Sequence, residues 1–201
     1  MPAAFYFIFA FCLGAIPSAY WAGKALMNVD IRQHGSGNVG ATNAFRVLGK
    51  GTGCAVLIFD LLKGALPVFL FVISGYVDEE PILSLLVGFT AVLGHVFTPF
   101  LGFKGGKGVA TGGGVLLATY PVLFAFSMGA WCVCFLFTKI VSLSSLAAVS
   151  ALCLLALFWV ADLKVRLFFL AMAGFVYWTH RSNIGRLLRG EEKKVVSNHK
   201  I

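Results

Sequence analysis

Residues 102 to 138 read GFKGGKGVATGGGVLLATYPVLFAFSMGAWCVCFLFT. From Val109 onward the stretch carries no charge for thirty residues, too long for one ordinary membrane span of about 20 residues. Tyr120-Pro121 at its middle reads as a break, because proline has no N–H to continue a helix and clashes with the turn before it. The stretch therefore predicts two helices, about 106 to 119 and 121 to 138. Apolar runs at 3 to 22, 53 to 77, 81 to 101, 140 to 161 and 165 to 179 bring the expected spans to seven.

The composition supports that reading. Of 201 residues 59% are hydrophobic, 20 are Phe, only 12% are charged and the mean hydropathy is +0.90, against roughly 45–50% apolar and about 25% charged in soluble domains. A chain of this length cannot enclose so much apolar surface in its own core, so part of it must face lipid. The expected fold is an all-α integral membrane protein, a single transmembrane domain over residues 1–201. The first 22 residues have no cation before Lys24, so they read as a retained span and not a cleaved signal peptide. The five cysteines (Cys12, Cys54, Cys132, Cys134, Cys153) lie in or beside apolar runs and are expected to be buried apolar residues, with neither disulfides nor a metal.

Charge decides the orientation. With seven spans, Lys24, Arg32, Arg46, Lys50, Lys104, Lys107, Lys139, Arg181, Arg186, Arg189, Lys193, Lys194 and Lys200 share one side, and only Lys164 and Arg166 lie on the other. With six spans the cations divide 8 to 7. Seven spans fit the positive-inside bias, placing the N-terminus and the acidic turn Asp78-Glu79-Glu80 outside and the C-terminus in the cytoplasm. The net charge of +8 is then topology rather than a nucleic-acid footprint, and no nucleic-acid partner is expected.

Every polar, glycine-rich segment falls on that cytoplasmic side. The segment 34–46 holds Gly35, Ser36, Gly37, Asn38, Gly40, Thr42, Asn43 and Arg46. It matches G-x-G-x-x-G formally, but no strand precedes it, so a dinucleotide site is rejected. Glycine amides, short polar side chains and an arginine fork together suit an anion. The segment 102–114 places Lys104, Gly105, Gly106, Lys107 and Gly108 at the start of a short helix of about 15 residues, where the helix dipole favours phosphate. It is not a Walker A loop, since Gly108 and Val109 follow Lys107. Gly108 and Gly112 also read as a helix-packing pair. The segment 180–192 spaces His180, Asn183, Arg186 and Leu187 along one side of a helix expected to continue out of the membrane. Asp60 and Lys63, spaced i, i+3, and His95 are ionisable groups inside expected spans; each reads either as structure or as function.

The three segments together resemble the bacterial membrane acyl-phosphate:glycerol-3-phosphate acyltransferases, whose motifs have the forms SGNxGxTNxxR, GGKGVAT and HxxNIxRLLxGxE. Here they stand as Ser36 to Arg46, Gly105 to Thr111 and His180 to Glu192, in order and on one side. The resemblance covers essentially the whole chain. It implies that the 1-hydroxyl of glycerol 3-phosphate attacks an acyl phosphate, giving lysophosphatidic acid and inorganic phosphate in phospholipid biosynthesis at a bacterial cell inner membrane. It implies no cofactor. Its roles fall on Arg46, Lys104, Lys107 and Arg186 as phosphate binders, with Ser36, Asn38, Thr42 and Asn43 orienting, the glycines 35, 37, 40, 105, 106 and 108 as a backbone anion loop, and His180, Ser36 and Asn183 as catalytic. The proton acceptor is either His180 or a substrate phosphate. Membrane lipid and the soluble enzyme that makes acyl phosphate are the implied partners.

Two rivals fit less well. An acyltransferase using acyl-CoA or acyl carrier protein would carry His-x4-Asp, but the residues five beyond His34, His95 and His180 are Val39, Phe100 and Gly185. An organic-phosphate transporter would distribute polarity across the bilayer, whereas this chain gathers it on one face.

Overall fold

The computed structural model describes residues 2–75 and 81–195, which are helical with no strand among them. The acidic turn at 78–80 and Lys200 lie outside the described residues. The chain forms two compact units, 1–121 and 122–201.

In the first unit, α1 (Ala3–Ala15) and α2 (Ser18–Met27) are a pair bent by 42°, where one span over 3–22 was expected. Pro17 causes the break. It donates no amide to the turn before it, and the exposed carbonyls are answered from the helix Gly49–Ile73 and from the turn that follows the helix Pro81–Val96. Thr98 Oγ1 donates to Ala15 O at 2.5 Å and Lys63 Nζ to Ile16 O at 2.8 Å. Non-helical backbone at membrane depth is tolerated only with such internal partners.

A polar loop and the short α3 (Ala41–Val47) lead into α4 (Gly49–Ile73). Ala19, Ile31, Val39, Ala44, Leu48, Val56 and Leu101 form the apolar floor beneath that loop. After α5 (Pro81–Val96), the chain turns through 97–108 into α6 (Val109–Thr119). α6 has only 11 residues, shorter than expected, because Gly108 at its N-cap takes φ 76°. At 1.5 Å per residue it is about 16 Å long. α4 and α6 cross backbone to backbone: a Cβ on Gly64 would meet Thr111 O, and one on Gly114 would meet Leu61 O. The tight crossing is thus Gly64 with Gly114. A Cβ on Gly108 would meet the side chains of Val92 and Val96 rather than backbone, and one on Gly112 would reach the Val92 side chain at 4.0 Å. Small residues at helix contacts are what lipid-embedded packing selects.

In the second unit, α7 (Pro121–Thr138) begins at Pro121, so the chain does break after Tyr120. Proline suits the first helical position, whose N–H has no partner. α8 (Val141–Trp159) and α9 (Leu163–Thr179) follow; Asp162 caps α9 by accepting from Lys164 N at 2.7 Å and Val165 N at 3.2 Å. α10 (Arg181–Leu188) does not continue α9, because His180 between them has ψ 5°. The tail then returns to the α7–α8 turn, where Val195 N donates to Lys139 O at 2.8 Å.

Among the described residues, four helices are long and apolar enough to cross a membrane, five if the bent α1–α2 pair counts as one. Their outer faces carry large apolar side chains in the open, Phe137 at 85% and Phe158 at 83% exposure among them. The cysteines are free, and Cys12, Cys54 and Cys132 are exposed rather than buried. An apolar residue facing lipid needs no protein interior.

Candidate active site

The first segment is held from beneath by one amide. Asn43 on α3 is buried; its Oδ1 accepts from Ser36 N at 2.8 Å, and its Nδ2 donates to Ile31 O and His34 O, each at 3.1 Å. Gly35 has φ 65° and lies so close to Asn43 Oδ1 that a Cβ there would meet it. Asn43, a residue whose expected role is to orient substrate, fixes the loop in this structure: its side chain is covered and its amide is bonded to Ser36, Ile31 and His34. Asn38 Oδ1 accepts from Gly40 N at 3.0 Å, a local turn that hands the chain into α3. Ser36 is exposed, and Thr42 and Arg46 are half-buried, one helical turn apart on α3. Beside this loop Asp30 and Arg32 form a fork-shaped pair at 3.0 and 2.7 Å, with Arg32 over the Tyr20 ring at 4.8 Å. The hydrogen bond from the Arg32 side chain holds the Asp30 carboxyl down at about 2.

Asn43→Ala is expected to cost roughly 3 kcal/mol, at about 1 kcal/mol for each of three hydrogen bonds. An earlier thermal unfolding in detergent is the check; an unchanged midpoint would contradict it.

The second segment doubles back on the end of α5. Gly105 N donates to Val96 O at 2.9 Å and Gly106 N to His95 O at 3.2 Å. Together with Gly37 N donating to His34 O at 3.0 Å, and Gly40 N to Asn38, four of the six expected glycine amides already have acceptors inside the protein. In this structure these four glycines permit close approach and turning, with their amides bonded inside the protein. What faces outward is cationic: Lys104 is exposed and Lys107 half-buried, next to the first turn of α6, whose leading amides have no intrahelical acceptor.

The third segment lies in the second unit and is organised by Glu192. Its Oε1 accepts from Ser142 Oγ at 2.7 Å and Asn183 Nδ2 at 2.6 Å, and its Oε2 accepts from Arg186 Nε at 2.6 Å. Burial raises the Glu192 carboxyl pKa, but these three hydrogen bonds and the Arg186 charge outweigh it and hold the group below its ordinary value. Glu191 pairs with Arg189, at 2.8 Å in the open. Asn183 is 4% exposed. His180 is 2% exposed, and its Nδ1 lies 2.8 Å from Val176 O. A carbonyl can only accept, so the neutral ring carries its proton on Nδ1 and its lone pair on Nε2.

Ser142 was not anticipated; nothing in the run Ile140-Val-Ser-Leu-Ser-Ser145 marks one serine over another. Ser18 and Thr98, partners of the helix break, were likewise missed, though Pro17 within an apolar run signals that some carbonyl needs a donor.

Comparison with known proteins gives a concordant result. A family model described as glycerol-3-phosphate acyltransferase matches residues 4–190. A glycerol-3-phosphate acyltransferase of Listeria welshimeri is 43% identical, covering 94% of each chain, and those of Bacillus velezensis and Gloeobacter violaceus are 44% and 41% identical over similar spans. A crystal structure of PlsY, an integral membrane glycerol 3-phosphate acyltransferase, in its glycerol 3-phosphate form superposes with a TM-score of 0.88 at 38% identity, covering 97% of this chain and 96% of that one. Its lysophosphatidic acid form superposes at 0.86.

Proposed function

The chain belongs to the glycerol-3-phosphate acyltransferase family, and from that premise we propose that its acyl donor is an acyl phosphate. The protein is an integral membrane acyltransferase acting on glycerol 3-phosphate. In the proposed reaction the 1-hydroxyl attacks the acyl carbon, the C–O bond to phosphate breaks, and lysophosphatidic acid and inorganic phosphate leave. The observation that carries the donor assignment is the character of the motif segments: Lys104, Lys107 and Arg46 supply cations, and no His-x4-Asp pair is present to activate a hydroxyl toward a thioester. An acyl phosphate is a mixed anhydride with a good leaving group, so positioning and charge neutralisation supply most of what catalysis needs.

Arg46, Lys104 and Lys107 bind phosphate groups, with Ser36 and Thr42 adding hydroxyl donors from the loop that Asn43 and Asn38 hold. Arg186, anchored by Glu192, supplies a further cation. His180 offers Nε2 as a proton acceptor, and a phosphate oxygen of the substrate is the alternative. His180→Ala separates them: loss of a positioned base is expected to lower kcat by about 100-fold or more, whereas near-normal kcat assigns the proton to the substrate.

The proposed topology has seven spans, with α1–α2 as one and the short α6 as another, the N-terminus outside and all three motif segments cytoplasmic. The distribution of thirteen cations against two supports it. In a cysteine-free background, Lys164→Cys is expected to react with an impermeant maleimide added to intact cells and Lys24→Cys is not; the reverse pattern would invert the topology. The membrane-bound product and the soluble source of acyl phosphate are the proposed partners, and no metal or cofactor is invoked.

The donor is tested by presenting acyl phosphate or acyl-CoA to purified protein with glycerol 3-phosphate and quantifying lysophosphatidic acid. Product from acyl phosphate alone is expected. Product only from acyl-CoA would overturn the donor, and no product from either, in a folded preparation, would favour transport.

A further inference from the structure

Asp60 and Lys63 are the ionisable groups that α4 carries at membrane depth, and each is 1% exposed. Lys63 Nζ lies 2.8 Å from Asp60 Oδ1, 2.8 Å from Ile16 O and 3.2 Å from His95 Nδ1. The same Asp60 oxygen accepts from Ser18 Oγ at 2.6 Å. Three donors of one ammonium thus reach three separate elements: their own helix, the break between α1 and α2, and the end of α5. A self-neutralising pair would not need the last two.

The consequence runs to the second motif segment. An ammonium has only donors, so His95 Nδ1 must accept and the ring proton sits on Nε2. That end of the ring lies against Gly106 so closely that a Cβ there would meet Nε2. The His95 and Val96 carbonyls meanwhile hold Gly106 N and Gly105 N, and a Cβ on Gly105 would meet His95 O. Both the side chain and the backbone of His95 therefore bear on the two residues between Lys104 and Lys107. Thr98, three residues on, ties the same turn to Ala15 O across the helix break.

We propose that Asp60, Lys63 and His95 are positioning residues for the Lys104–Lys107 loop, with His95 as the element that touches it and the buried ion pair as the clamp that fixes the orientation of His95. The cluster needs no contact with substrate. It sets where two phosphate-binding cations stand, and misplacement by an ångström from a distance is enough to cost about 100-fold in rate. This inference rests on the reading of Lys104 and Lys107 as phosphate binders.

The test is steady-state kinetics of the full-length protein in lipid, with KM measured separately for glycerol 3-phosphate and acyl phosphate. Four variants are used: Gly106→Ala, His95→Ala, the two combined, and the apolar pair Asp60→Leu/Lys63→Met, which removes both partners at once and so leaves no uncompensated buried charge. A purely structural role lowers the active fraction, which reduces apparent kcat and leaves both KM values alone. A positioning role raises the KM of whichever substrate the loop holds, expected at about tenfold for Asp60→Leu/Lys63→Met. Gly106→Ala is expected to lose about 100-fold in kcat/KM and to recover, when combined with His95→Ala, to the level of His95→Ala alone. Unchanged KM values in the apolar pair, or losses that multiply in the Gly106 and His95 double variant, would overturn the proposal. A wild-type protein inactive with acyl phosphate would overturn the functional reading instead, so the two failures are distinct.

Discussion

Glu192→Gln is expected to lower turnover by about 100-fold, while Glu191→Gln, one residue earlier, leaves it nearly unchanged. The amide keeps the shape of the side chain but replaces one acceptor oxygen with a donor. That donor must then face Arg186 or the pair of Ser142 and Asn183, all of which now donate to the carboxylate. Arg186 loses its counter-ion, and the tail loses its hold on α8 and α10 together. By contrast the Glu191–Arg189 pair has side-chain exposures of 56% and 60%, and exposed pairs of this kind contribute little. The same geometry fixes the sign of the pH dependence. A carboxyl held below its ordinary value stabilises fully above that value, near 4.5, and loses its contribution as pH falls through the lower, folded-state value. The hub therefore stays intact at pH 5.5. Parallel activity and thermal-unfolding measurements on the two variants decide the matter; equal losses in both would contradict the assignment of Glu192 as the anchor.

Gly64→Val is expected to abolish the folded first unit. Its first added carbon would meet the Thr111 carbonyl oxygen, and the α6 backbone, unlike a flexible side chain, cannot swing away. Overpacking costs typically 1–3 kcal/mol when side chains absorb the strain, and more is expected when a backbone must move. Thr111 belongs to the second motif segment, so any surviving fold would carry a displaced α6 start beside Lys107. Gly129→Val on α7, where a Cβ meets no atom within 4 Å, is the matched control. Loss of a monodisperse peak for Gly64→Val and its retention for Gly129→Val is the expected outcome; two well-behaved variants would contradict the backbone crossing.

Much of this architecture was legible in the sequence because lipid imposes a simple rule. Apolar runs of span length and the Tyr120-Pro121 break located the helices, and the three motif segments stood out as islands of glycine and polarity. What escaped was partnership across distance. Pro17 announced a break, but not that Lys63 and Thr98 would answer the freed carbonyls, since those contacts join residues 47 and 83 positions apart. Asn43 reads in the sequence as a ligand-binding amide, and its spacing does not reveal that it braces Gly35 and Ser36 from beneath. The glycine amides looked available because spacing alone does not reveal that Gly105 and Gly106 fold back on the end of α5. His180 was read as one residue of a continuing helix, yet it is the joint between two.

The most direct measurement follows the oxygen atom. Glycerol 3-phosphate carrying 18O in its 1-hydroxyl is incubated with acyl phosphate and the protein, and both products are examined by mass spectrometry. Attack by that hydroxyl on the acyl carbon predicts lysophosphatidic acid that retains the label, with an equal amount of unlabelled inorganic phosphate. Phosphate released without matching labelled lysophosphatidic acid would mean hydrolysis in place of transfer and would contradict the account.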